Sequence, residues 1–127
     1  MKILVRFALI ILCSLISFQA FSAPAVAELE GLWQQSKGKA GYANYQTEFV
    51  QYNNYLHLDT KDGCIGLAPG KLSIYLVVNA HAVVESVITD FDNPKAQCFK
   101  RTYAGLTVKA PPFSPLIIKM IMEDKPR

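Results

Sequence analysis

The sequence predicts an α+β domain in which two helices pack on a three-stranded antiparallel sheet, built from a hairpin and a C-terminal strand. Three observations carry this reading. Two apolar runs, 72–78 and 83–89, alternate with a period of two across the short connection 79–82, which is too short for anything but antiparallel pairing. Two other stretches, 43–57 and 94–104, space their apolar residues by three and four, the repeat of a helix face. A last apolar run, 116–122, follows a segment holding Pro111, Pro112 and Pro115 and supplies the remaining strand.

In chain order, 28–42 reads as a short helix or irregular lead-in. Leu29, Leu32 and Trp33 offer apolar area, and Lys37-Gly38-Lys39-Ala40-Gly41 forms a turn or loop. In 43–57 the stripe is Phe49, Tyr52 and Leu56, with Tyr45 and Val50 flanking it. The tyrosines at 42, 45, 52 and 55 would suit a carbohydrate or peptide surface, but an amphipathic helix laid on a sheet buries such rings as core. A polar connection, 59–70, carries Cys64. The first strand turns Leu72, Ile74, Leu76 and Val78 to one face and Ser73, Tyr75 and Val77 to the other. The second alternates Val84, Ser86 and Ile88 with Val83, Glu85 and Val87, leaving His81 as an exposed turn residue.

Asp92-Asn93-Pro94 is a helix start, since Asn or Asp caps the first turn and Pro is tolerated where no amide bond is lost. Ala96, Phe99 and Tyr103 form its inner face. Lys95, Lys100 and Arg101 point elsewhere, the last two complementing the helix dipole, and Gly105 ends the helix. The prolines of 110–115 hold an extended lead-in. In the last strand, Ile118, Met120 and Met122 alternate with Ile117, Lys119 and Ile121, and 124–127 is a charged tail.

Residues 1–27 have the three parts of a secretory signal: Lys2 and Arg6, an apolar stretch 7–18, and a tail of small residues. Cleavage is expected before Glu28, or before Ala23 if the earlier site is used. Cys13 follows Leu12 rather than a small residue, so lipidation is not expected. Left uncut, the uncharged run 7–27 would be long enough to span a bilayer, the one route to membrane attachment. The expected location is the periplasm or the exterior. In an oxidising compartment Cys64 and Cys98, an even pair once Cys13 is removed, form one structural disulfide. Closing that loop stabilises the fold by about 4 kcal/mol in the chain-entropy model.

Of the 13 basic residues, Lys2 and Arg6 lie in the signal, so 11 face 10 acidic residues in the remainder, a net charge of +1. That balance excludes the clustered positive face of a nucleic-acid binder. The chain is too short for a doubly wound nucleotide-binding domain and has no Gly-rich turn for one. No Cys-x-x-Cys or helically spaced His pair suggests a metal, and no cofactor is expected. His57, His81, Glu85, Asp90 and Asp92 show no spacing that catalysis demands, so the protein reads as non-enzymatic.

The layout from 43 to 123 resembles the C-terminal domain of TonB-like proteins. The clearest stretches are Leu72-Ser-Ile-Tyr-Leu-Val-Val78, Val83-Val-Glu-Ser-Val-Ile-Thr89, and Phe113-Ser114-Pro115 before Leu116-Ile-Ile-Lys-Met120. It departs from that family in the hairpin loop, Asn79-Ala80-His81-Ala82 in place of an Asp and a Gly, and in lacking a Tyr-Pro at Tyr42-Ala43. TonB itself couples inner-membrane energy to outer-membrane receptors through a long Pro-rich spacer. Here the stretch 27–43 reaches at most about 60 Å and lacks that composition, so energy transduction is not expected. The resemblance implies instead an exported binding module. Its edge strand, Leu116, Ile117, Ile118, Lys119, Met120 and Ile121, would take up a protein or peptide of the cell envelope by strand addition. A homodimer mate is the competing occupant of that edge. The other reading is a periplasmic inhibitor or immunity protein that plugs a lytic enzyme with the loop 61–71.

Overall fold

The computed structural model describes residues 26–124. It contains α1 (Val26–Lys37), α2 (Tyr42–Leu56), a 3-10 turn (Cys64–Leu67), β1 (Lys71–Val78), β2 (Val84–Thr89), α3 (Pro94–Tyr103) and β3 (Leu116–Glu123). The sheet order is β2-β1-β3, antiparallel throughout. The α+β class and the sheet are those expected, and among the described residues there are three helices, the lead-in having resolved as the short helix rather than the irregular segment. The apolar period of 28–42 is too brief to declare a helix by itself. Packed on a sheet, however, Leu29 is buried, with Val26, Leu32 and Trp33 half-buried around it, and burial of one face is what stabilises a helix of this length. The signal reading falls almost wholly outside the described residues. Its last two, Val26 and Ala27, lie in the first turn of α1. Cutting after Ala27 would remove Val26 from its contact with the Leu29 cluster, whereas cutting after Ser22 would keep it.

β1 is the middle strand of a three-layer stack. Leu72, Ile74, Leu76 and Val78 are buried on one face, as their alternation predicts, against Phe49 of α2 and Ala96, Phe99 and Tyr103 of α3. The other face is covered as well, because Tyr75 and Ile117 are buried beneath Leu29 of α1. The expected alternation in β2 is broken. Val78 pairs with Val84 while Val77 pairs with Ser86, so Glu85 is an extra residue in a β-bulge. The insertion puts Val84 and Val87 together in the main core and turns Ile88 toward the α1 side. Asn79 fixes the hairpin, its Oδ1 accepting from the amides of His81 and Val83.

The buried stripe of α2 is Tyr42, Tyr45, Phe49 and Asn53, rotated from the expected one, so Tyr52 and Val50 are exposed. A polar Asn53 occupies the core position because Tyr103 donates a 2.6 Å hydrogen bond to its Oδ1, which satisfies two buried polar groups at once. In α3, Asn93 caps the helix by accepting from the Ala96 amide, and Pro94 occupies the first turn. Lys95 does not point to solvent as expected. It is buried, and its Nζ donates to the carbonyls of Ala68 (3.1 Å) and Gly70 (2.6 Å). The connection entering β1 is thus held to α3 twice, since Cys64 and Cys98 form the expected disulfide, with Cα atoms 5.4 Å apart. Gly105, at φ +76°, makes the left-handed turn after α3.

Reducing this disulfide in the folded protein should remove about 4 kcal/mol, the chain-entropy value for a loop of its length. Thermal unfolding followed by circular dichroism with and without reductant should show the melting point falling by well over 10 °C. Cys64→Ser together with Cys98→Ser should reproduce the reduced curve.

Candidate functional site

A three-stranded sheet has two outer edges, and the hydrogen-bond pattern says which groups each leaves unmet. Ser73 exchanges main-chain and side-chain bonds with Asp90 on the β2 side, so by alternation Ser73, Tyr75 and Val77 direct their amides and carbonyls toward β2. Leu72, Ile74, Leu76 and Val78 direct theirs toward β3, where their partners are Met122, Met120, Ile118 and Leu116. The main-chain groups of Ile117, Lys119, Ile121 and Glu123 therefore face outward. On the opposite edge, Val84 already bonds Gly105 and Leu106, and Ala82 bonds Val108. That closes the first part of β2.

On β3 the closure is confined to one end. The Ile117 carbonyl accepts from Tyr42 Oη at 3.0 Å, and Tyr42 Oη accepts in turn from Trp33 Nε1 at 3.1 Å. Both residues come from the junction of α1 and α2. Gly41 allows that junction to form, with φ +86° and its α-carbon so close to Pro112 that a Cβ would stand 3.0 Å from it. Past Ile117 no described residue pairs with this edge: Lys119 is half-buried, while Ile121 is 55% exposed.

Polar and aromatic contacts bind α1 beside this edge. Glu30 accepts from Tyr75 Oη and forms an ion pair with Lys119 at 2.9 Å. The Tyr75 bond, followed by Lys119, holds the Glu30 carboxyl below its ordinary range. Bonding to Glu30 raises Lys119, and Tyr75 is raised chiefly by desolvation, then by Glu30. Trp33 carries two cations, Lys37 Nζ at 3.9 Å and Lys119 Nζ at 4.7 Å from its ring centroid. Lys39 lies 4.8 Å from the centroid of Phe113.

Of the residues expected to form the docking edge, Leu116, Ile117 and Ile118 are buried and hold the strand in the fold. Met120 is half-buried on the core face, and Lys119 and Ile121 carry the open part. Sequence reasoning missed Glu30, Trp33 and Tyr42, which decide where that part begins. The one signal was the single tryptophan in a segment read as a lead-in. The loop proposed as an enzyme plug is held by the disulfide and by Thr102 donating to Asp62, with Leu67 exposed. A separate groove of about 410 Å³ lies between α2 and residues 107–109. Several of its polar groups bond within the chain: Tyr45 donates to Lys109 O, Tyr52 to Thr107 O, and Lys109 pairs with Glu48. Burial, and then Glu48, push the Tyr45 hydroxyl up to about 12. Among the described residues no group of three His, Cys, Asp or Glu side chains gathers as a metal site, and no helix is long and apolar enough to cross a membrane. Comparison with protein-family models, curated proteins and solved structures gives no match.

Because the folded pKa of Glu30 is depressed, its contribution to docking α1 is complete above its ordinary value of 4.5 and is lost as pH falls through the lower folded value. Trp33, the only tryptophan, reports on this contact. Its fluorescence should show an acid transition centred below pH 4.5, and Glu30→Gln should remove that transition at constant far-ultraviolet circular dichroism.

Proposed function

We propose that this chain is an exported, non-enzymatic protein-binding module that takes up an extended segment of a cell-envelope protein as a fourth strand beside β3. This is the mode of the TonB-like C-terminal domains it resembles. The observation that carries the reading is the outward main chain of Lys119, Ile121 and Glu123, a ladder with no partner among the described residues, with Ile121 exposed beside it. Strand addition needs little more than such an edge, because the backbone bonds supply affinity and the alternate side chains supply selection. In the competing groove both tyrosine hydroxyls are already bonded to the chain's own carbonyls. Export is supported by the signal pattern and by the disulfide, which persists in an oxidising compartment.

The alternation of β3 gives a sharp test. The Ile121 amide points outward, so Ile121→Pro removes a docking donor while leaving the β1–β3 bonds in place, and Pro is tolerated on the free side of an edge strand. Met120→Pro removes an internal ladder bond. Ile121→Pro should retain a melting point close to that of the parent protein and lose partner binding in a pull-down with envelope extract, whereas Met120→Pro should melt well below it. Undiminished binding by folded Ile121→Pro would refute the edge. Pairing of two copies through the same edge would appear as a dimer in light scattering, abolished by the same substitution.

A further inference from the structure

One end of the open edge of β3 is positively charged: Lys119 is on the strand itself, and Lys37 and Lys39 stand over Trp33 and Phe113, beside the Trp33–Tyr42 contact with the Ile117 carbonyl. Among the described residues only Lys119 of these lysines has a carboxylate within 4.0 Å, that of Glu30. Lys37 and Lys39 are exposed and are positioned by ring faces instead, one over Trp33 and the other over Phe113. An aromatic face orients an ammonium group without neutralising it, so two net positive charges remain beside the point where Tyr42 ends the free ladder.

Resting on the edge reading, we propose that the fourth strand is an extended peptide with acidic residues at the end that meets Lys37 and Lys39, and an apolar residue against Ile121. The Tyr42 hydroxyl sets the register. It occupies the Ile117 carbonyl, so backbone pairing begins at Lys119, and the peptide residues that run past this stop lie over the Trp33 platform among the lysines. Acidic side chains there gain two cations with no internal competitor, while basic ones are repelled, which makes the cluster a device for selection as much as for affinity.

The test is a display selection of random peptides, eight residues long to match β3, against the purified full-length protein. It is run in parallel on Ile121→Pro and on the double variant Lys37→Glu with Lys39→Glu. The parent should enrich peptides carrying Asp or Glu at one end. A synthetic copy of a selected peptide should bind the double variant about tenfold more weakly, and the difference should shrink in about 1 M salt, where screening acts over roughly 3 Å. The double variant should enrich peptides without that acidic end. Enrichment that depends on Ile121 but shows no acidic bias would overturn the charge proposal and leave the edge standing. Acidic enrichment that survives Ile121→Pro, or no enrichment at all, would overturn both. Sedimentation of the parent with phosphatidylglycerol vesicles, lost in the double variant while peptide binding is unchanged, would assign the lysines to a lipid surface and also overturn it.

Discussion

The constraint on which this structure turns is the hydrogen-bonding capacity of β1. Every second residue of the strand faces β2 and the others face β3, so the middle strand is saturated and any unmet main chain is displaced to the two flanks. On β2 the return of residues 105–108 occupies the flank from Ala82 to Val84. On β3 a single tyrosine hydroxyl occupies one carbonyl. The proposed activity is the remainder of that inventory. Exposed edges invite association unless they are short, charged or covered, and here Lys119 and Glu123 supply charge while α1 covers only the beginning.

Both sheet faces are stabilised, by different chemistry. The main face is an apolar core of about the kind the alternating strand predicts, fastened at its rim by the disulfide and by buried Lys95 on the carbonyls of Ala68 and Gly70. A domain of this size has a modest core, and a covalent staple contributes a large share of its margin. The second face is small: Leu29, Tyr75 and Ile117, ringed by half-buried residues and closed by the Tyr75–Glu30–Lys119 triad. Because α1 depends on partly exposed charge contacts, it is the layer whose attachment responds to pH, and it is the one nearest the open edge.

Legibility in the sequence followed the length of each periodic signal. β1, α3 and its Asn93 cap were readable because their patterns are local and strong, and the disulfide followed from compartment and parity. What was missed depends on contacts between distant segments. α1, left open between a short helix and an irregular lead-in, is a helix because β1 and β3 give it an apolar face. The bulge at Glu85 reverses the expected faces of β2 through its register with β1. The α2 stripe shifts to Asn53 because Tyr103, 50 residues on, supplies its partner. In the candidate site, Lys119 and Ile121 were legible from alternation in β3. Tyr42 and Trp33 were not, since their importance lies in one carbonyl 75 residues beyond Tyr42.

Amide hydrogen exchange in the monomeric protein, resolved by residue, tests the account most directly. Slow exchange at Ile118, Met120 and Met122 with rapid exchange at Lys119, Ile121 and Glu123 is the predicted pattern. Protection at Lys119 and Ile121 equal to that of Met120, in the absence of any partner, would mean that the edge is already covered and would contradict it.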